Sequence, residues 1–306
     1  MTIHDAGSPV PDAATPPLVG VLAVVGVGLI GGSFAAALRQ SGAVGKILGA
    51  GRRPQTLDLA KRLGLIDEAV SLERAAQEAD LILLALPVGA TQSILQQLRP
   101  WMRDGVVVTD AGSTKADVAA AAYAALGDRA GQFIPGHPIA GAEATGPEAA
   151  TSNLYRGRTV VLTPLAENSD ADRLFLRKVW ERCGARVVSM QAHEHDIALA
   201  SVSHVPHFLA SVYMGQVAAC ADADLRMTLA GTGFRDFTRI AAGSPEMWRD
   251  IFLANREAIL RELEQIRAAL EHAEHSLQNA DGQGLYDFLE HAALARRLWG
   301  SRSGLP

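Results

Sequence analysis

The sequence predicts an α/β protein in which a doubly wound parallel sheet is followed by an all-helical domain. Three observations predict it. Short aliphatic runs alternate with amphipathic helical stretches from Leu18 to about Phe133, the pattern of a parallel sheet covered on both faces. A glycine-rich turn joins the first run to the first helix. After about Gln191 the strand signals stop, and helical periodicity alone continues to Trp299.

Taken in order, the chain reads as strand over 18–25 and helix to 40, strand over 46–50 and helix over 55–63. It continues with strand over 81–86, helix over 90–98, strand over 106–110 and helix over 116–126. Each strand is a β-branched or aliphatic run bounded by turn residues, and each helix repeats its apolar positions every three or four residues. Two more strands, 159–162 and 186–189, flank a helix over 170–182 and are expected to extend the same sheet. In the helical half, breaks are expected near Asp222, 231–233, 243–245 and Gly282. Ile259, Leu263, Ile266, Leu270, Ala273 and Leu277 recur at alternating spacings of four and three, one narrow seam that a second helix must cover. Packing within the chain and entry into a dimer interface both satisfy that need.

Composition sets the bounds. A chain of 306 residues, 48% of them hydrophobic and 5% aromatic, is long enough for two domains with a substantial core. The net charge of -5, with 28 basic residues scattered along the chain, excludes a basic field for nucleic acid. Two cysteines, Cys183 and Cys220, are too few for a disulfide framework and fit a reducing cytosol, so a cytoplasmic location is expected. Residues 1–17 carry Asp5 and Asp12 and no Lys or Arg, so they read as a disordered leader and not as a signal peptide. The apolar stretch over 197–220 is interrupted by Ser201, Ser203, His204, Pro206, His207 and Gln216. It is expected to be a buried helix and not a membrane span.

Gly26, Gly28, Leu29, Ile30 and Gly31 follow the first strand directly and open the first helix, the context in which a glycine motif binds a dinucleotide pyrophosphate. The first glycine makes the turn, the second admits the phosphates, and the third lets the helix pack closely. Residues 18–190 are therefore read as a Rossmann-type dinucleotide-binding domain and 191–300 as a helical substrate and dimerisation domain. At the end of the second strand stands Gly51, where an acidic residue would accept a ribose 2′-hydroxyl, and Arg52 and Arg53 follow it. Two guanidiniums without a carboxylate favour a 2′-phosphate, hence NADP over NAD. Pro87, just beyond the strand over 81–86, is assigned to the same site.

Three further clusters fall where such a sheet exposes its chemistry: 110–115, containing Ser113; 136–143, containing His137 and Glu143; and 203–207, containing His204 and His207. With the glycine motif and the later run 233–241, which contains Asp236 and Arg239, this ordered set closely resembles the prephenate/arogenate dehydrogenase family over residues 18 to 300. The resemblance implies a helical dimerisation domain, an active site between the domains, and oxidative decarboxylation of prephenate or arogenate in tyrosine biosynthesis. A neutral imidazole suits withdrawal of a hydroxyl proton near pH 7, and the resemblance assigns that role to His137. It also implies that Ser113 orients the imidazole or the cofactor and that Arg239 holds the substrate side-chain carboxylate. His204, His207, Glu143, Asp236 and Trp248 are placed around the substrate, with Trp248 near the subunit boundary. Ala142 departs from relatives that carry a hydroxyl there. No length is left for an appended mutase or regulatory domain, so a single-function enzyme is expected. A metal is not expected, because His193 and His195 are two apart and diverge on a helix, with no suitably spaced third ligand.

Two competing readings fit the sequence less well. A β-hydroxyacid dehydrogenase would need a lysine in its helical part, but the lysines are Lys46, Lys61, Lys115 and Lys178, all before that part. A non-catalytic nucleotide-sensing module would have no use for His137, the paired histidines and Arg239 together.

Overall fold

A computed structural model describes residues 16–142 and 144–303. Apart from Pro16 and Pro17, the expected leader lies outside the described residues. The first half runs β1 (Val19–Val25), α1 (Leu29–Gln40), β2 (Val44–Ala50), α2 (Pro54–Arg62), β3 (Glu68–Ala69), α3 (Leu72–Glu78), β4 (Leu81–Leu84), α4 (Thr91–Leu98), β5 (Val107–Asp110), α5 (Ala116–Leu126) and β6 (Phe133–Ile134). It continues with β7 (Gly136–Pro138), β8 (Thr159–Leu162), α6 (Asp170–Arg182) and β9 (Arg186–Ser189). Strands β1 to β6 form one parallel sheet in the order β3-β2-β1-β4-β5-β6. All four residues of β4 and the last four of β1 are buried, as strands covered on both faces require. On one face Phe34 and Leu38 of α1 pack with Val179 and Trp180 of α6. On the other, Leu95 of α4 and Val118 and Ala122 of α5 close a second apolar layer.

Two features differ from the sequence reading. β3, α3, β6 and β7 are not in that reading; β3 and β6 have two residues each, β7 three and α3 seven, too short for either periodicity to register. Strands β8 and β9 do not extend the main sheet. They form a three-stranded sheet with β7, which is antiparallel to β8, while β9 is parallel to it. The cause lies at Pro135, which has no N–H for a ladder and turns the chain out of β6 into β7. The main sheet therefore ends there, and His137 sits on the strand that begins the new one.

The helical half comprises α7 (Ala192–Leu199), a π turn (Ala200–His204), α8 (Val205–Ala218), α9 (Ala223–Thr228), α10 (Thr232–Thr238), α11 (Pro245–Ala254), α12 (Arg256–Gln278) and α13 (Gly282–Ser303). Interruptions occur at each expected place, and one more falls at Asn255. Along the α12 seam, Ile259 is 4% exposed and packs with Ala200, Val205 and Ala258, with Leu263 and Ile266 against them. Leu270 and Leu277, by contrast, are 57% and 66% exposed. The helix Ala192–Ala218 is long and apolar enough to span a membrane by length and composition, yet only 28% of its apolar window is buried. The expectation of a buried helix is thus met on one side only, because a single chain leaves Val202, Val212 and Tyr213 uncovered.

Candidate active site

At the end of β1 the chain turns at Gly26 with φ +96°, where a Cβ would lie 2.3 Å from the Ala85 carbonyl oxygen. A Cβ at Gly31 would lie 2.3 Å from the Gly26 oxygen and 2.7 Å from Val24 Cγ1, so turn and helix packing both require glycine. Gly28 differs, since nothing lies within 4 Å of its Cβ position. Helix α1 starts beside that open space with no side-chain cap and no acidic residue in its first turn. Free amides, a positive helix end and a missing side chain make an anion cradle. Leu29 and Ile30 stand half-buried at its mouth, and the Ile30 carbonyl accepts a 2.6 Å hydrogen bond from Tyr155. Gly51, Arg52 and Arg53, just past β2, are exposed, as is Pro87 past β4. These residues fit a dinucleotide whose pyrophosphate rests on α1 and whose ribose reaches the end of β2.

At the end of β5 a buried ion pair locks the next strand in place. Lys115 Nζ donates to Asp110 Oδ2 and, at 2.8 Å, to the Gly136 carbonyl. Asp110 also accepts from the amides of Gly112 at 2.8 Å and Gly136 at 2.9 Å. Both charges are enclosed, with Lys115 0% exposed, and each has further hydrogen bonds beyond its partner, the condition under which a buried pair is tolerable. Because Gly136 is held through both its N–H and its C=O, the next residue, His137, has a fixed origin.

His137 is half-buried. Its Nδ1 lies 2.8 Å from Nε2 of His195, and Nδ1 of His195 lies 2.8 Å from Asp196 Oδ1. The Asp196 carboxylate also accepts from the backbone amides of Lys115 and Ala116, each at 2.8 Å, at the start of α5. Proton positions follow from this network. A carboxylate only accepts, so His195 carries a proton on Nδ1, and in its neutral form it accepts at Nε2 from the Nδ1–H of His137. The remaining nitrogen of His137, Nε2, then holds a free lone pair. Burial raises the pKa of Asp196, but the hydrogen bonds from His195, Ala116 and Lys115 outweigh it and keep the carboxyl below its ordinary range. Burial, then the charges of His195, Lys115 and His204, push His137 well below 6.5. His137 is thus a neutral base whose accepting atom is defined.

The helical half supplies the opposite wall. His204 is 1% exposed, and burial pushes its pKa down to about 4. Its Nδ1 lies 3.0 Å from Asn255 Nδ2. His207 donates from Nδ1 to the Ser203 carbonyl at 2.9 Å and stacks on Trp248 at 3.7 Å between ring centroids. Trp248 meets His204 edge-on at 6.4 Å, so one indole bridges the two histidines. A Cβ at Gly243 would lie 2.4 Å from Trp248 Nε1, so that glycine makes room for the ring. Burial and the Arg239 charge lower the pKa of His207, against the Ser203 hydrogen bond, which puts Arg239 beside this wall. Arg239 also borders a cleft of about 650 Å³ lined by Met214, Phe234 and Thr238.

Comparison with known proteins decides the family. Residues 34–189 match the nucleotide-binding domain of prephenate dehydrogenase and residues 191–291 its dimerization domain. The chain belongs to the prephenate dehydrogenase family. It is 34% identical to the prephenate dehydrogenase of Lactococcus lactis, over 90% of this chain and 76% of that protein. It superposes with TM-score 0.85 and 35% identity on prephenate dehydrogenase of A. aeolicus in complex with hydroxyphenyl propionate and NAD+, covering 91% of this chain and 97% of that one. Synechocystis arogenate dehydrogenase superposes with TM-score 0.78 and 31% identity, covering 91% and 99%.

Of the residues singled out in this prephenate dehydrogenase family member, His137, Ser113, His204, His207, Trp248 and Arg239 converge between the domains. Glu143 lies outside the described residues, and Asp236 is exposed on α10. Ser113 makes no side-chain hydrogen bond among the described residues; the orienting partner of His137 is His195. Spacing reads His193 and His195 as an unsuitable metal pair and gives His195, Asp196 and Asn255 no role, and the cluster 110–115 is singled out without a role for Asp110 or Lys115. Among the described residues no group of three candidate metal ligands occurs. The one available signal was the adjacency of His195 to Asp196 after an apparent domain boundary.

The network yields a pH prediction with a definite sign. A histidine whose pKa is lowered stays neutral further into acid, so the acid limb of kcat/KM should fall below pH 6.5. Asp196→Asn removes the carboxylate that fixes both tautomers and should lower kcat by about two to four orders of magnitude, with KM much less affected. A pH–rate series on both proteins checks this; an acid limb above 6.5 in the parent would contradict it.

Proposed function

We propose that this chain catalyses the oxidative decarboxylation of prephenate or arogenate, with NADP favoured as the hydride acceptor. The observation that carries the reading is the Asp196–His195–His137 series, which ends on a free Nε2 lone pair beside the carboxyl ends of the parallel strands. His137 Nε2 withdraws the proton of the ring 4-hydroxyl as the hydride leaves the same carbon. The oxidised nicotinamide, when bound, supplies the hydride acceptor. The electron pair of the bond to the ring carboxylate enters the ring, carbon dioxide departs, and the phenolate that results takes the proton back from His137 to give the phenol. Aromatisation drives that departure, so the protein's task is positioning and charge complementarity. Arg239 faces the side-chain carboxylate as a bidentate partner, with His207 and Trp248 forming the wall. Lys115 is committed to Asp110 and Gly136, and Lys46, Lys61 and Lys178 all precede the helical part, so that part offers no lysine for β-hydroxyacid chemistry.

The direct test is reduction of NADP and of NAD by the purified protein with prephenate and with arogenate. Turnover with at least one substrate supports the reading, and no turnover with any pair would overturn it. The A. aeolicus relative is described with NAD+; here exposed Arg52 and Arg53 and the missing carboxylate at Gly51 support NADP. Each Arg contact to a 2′-phosphate contributes on the order of 1–3 kcal/mol, about one to two decades in KM. A Cβ at Gly51 would meet only Leu57 Cδ2 at 3.7 Å, so Gly51→Asp with Arg52→Ala is sterically mild. That variant should raise KM for NADP sharply and bring NAD to parity or beyond. A parent with the lower KM for NAD would refute the preference.

The dimerization-domain match and the uncovered face of α12 together support a homodimer. Light scattering should report a dimer at micromolar concentration. Leu270→Glu with Leu277→Glu should shift it toward monomer with the helical circular dichroism retained, since both side chains are exposed in one chain but would be buried by a partner. A monomeric parent would contradict the assignment.

A further inference from the structure

Helix α11 belongs to the helical domain, yet it packs on the nucleotide-binding domain at the short turn Val88–Ala90 that follows β4. Ala254 packs against the apolar layer that contains Leu84 and Val88. One helical turn earlier on the same face stands Asp250. A Cβ built on Gly89 would lie 3.6 Å from Asp250 Oδ2 and would meet nothing else within 4 Å. The Asp250 side chain is 22% exposed, so its carboxylate is partly enclosed where the two domains meet. Arg249 fixes one edge of it, donating from Nε at 2.9 Å and from Nη2 at 2.7 Å to Oδ1. Oδ2 accepts from no group among the described residues and borders the open space beside Gly89.

The sheet order says what passes through that space. It runs β3-β2-β1-β4-β5-β6, so its direction of growth reverses between β1 and β4, where a doubly wound sheet opens a crevice for a dinucleotide. The α1 cradle after β1 takes the pyrophosphate, and the adenine-side ribose reaches Gly51 and Arg52 after β2. The other half of the dinucleotide must run the opposite way, past the end of β4, because the base His137 lies on that side. It sits on β7, which is tied through Gly136 to the end of β5. The first group beyond the phosphates on that path is the nicotinamide-side ribose, whose two hydroxyls are donors. A carboxylate only accepts, so it repels a phosphate and matches a vicinal diol, the pairing that an acidic residue after β2 makes with the other ribose.

We propose that Asp250 is a cofactor-binding residue whose Oδ2 accepts from the hydroxyls of the nicotinamide-side ribose, an assignment that rests on the dinucleotide reading of the site and not on the substrate. Helix α11 then serves both ligands, with Trp248 on the substrate wall and Asp250 on the cofactor. The contact is indifferent to the 2′-phosphate, which belongs to the other ribose, so it acts equally on NAD and NADP.

Binding alone tests this, by calorimetric titration of the full-length protein with NADH, NADPH, ADP and an NADH analogue that lacks both hydroxyls of the nicotinamide ribose. The parent should bind the analogue at least about tenfold more weakly than NADH, the loss expected for a hydrogen bond to a charged group. Asp250→Asn keeps the shape and removes the charge. It should raise Kd for NADH and for NADPH by the same factor, about ten, and bind the analogue no worse than the parent does. Kd for ADP, and for the hydroxyphenyl propionate of the A. aeolicus complex, should stay unchanged. Asp250→Ser repeats the comparison with a second side chain. A parent that binds NADH and the analogue equally overturns the proposal whether or not the variants fold. Variants that weaken ADP as much as NADH overturn it too, since that is the mark of a loosened domain contact. A parent that binds NADH through these hydroxyls yet turns over neither prephenate nor arogenate refutes the proposed function and leaves the Asp250 assignment standing.

Discussion

The carboxylate of Asp196 is a buried charge held by three hydrogen bonds, from His195 Nδ1 and from the first amides of α5. The helix start gives it unpaired N–H groups and a positive dipole end, which is how a charge from the helical domain can be buried against the nucleotide-binding domain. Every part of the site refers to this joint. Its carboxylate sets the tautomer of His195 and so of His137, and its carbonyl holds Asn255 and so His204. Losing it would leave two histidines without a defined proton and the start of α5 without its cap.

A second buried charge works from the other side. Lys115 and Asp110 are joined through Gly136 to the strand that carries His137, while the backbone N–H of the same Lys115 is a ligand of Asp196. The lysine thus links both ends of the histidine series. Its ammonium also disfavours a second positive charge on His137. The arrangement keeps the base neutral by surrounding it with mass and a nearby cation, where a carboxylate in direct contact would have raised its pKa. Asp196 stands one imidazole away and orients the base without charging it.

The nucleotide-binding half was legible because its signals are local. Gly26 and Gly31 are demanded by backbone contacts, and the buried strands are aliphatic on both faces. The second sheet was not legible, because strand pairing beyond Pro135 depends on the bend and not on the composition of β8 and β9. His137, His204 and Arg239 came from a resemblance of ordered motifs, and the structure brings them into one region. His195, Asp196 and Asn255 escaped because they act across domains, with Asp196 and Asn255 59 residues apart, and neither periodicity nor spacing encodes such a contact. The exposed half of the α12 seam carries the same lesson, for its apolar repeat was visible while its partner was not.

Every step of the proposed reaction begins with His137 withdrawing the 4-hydroxyl proton as the hydride leaves. The most direct measurement is the steady-state kinetics of His137→Asn against the parent at saturating cofactor. Loss of proton withdrawal in the transition state predicts a fall in kcat of about two to four orders of magnitude with KM little changed. A variant that keeps most of the parent's kcat would contradict the account.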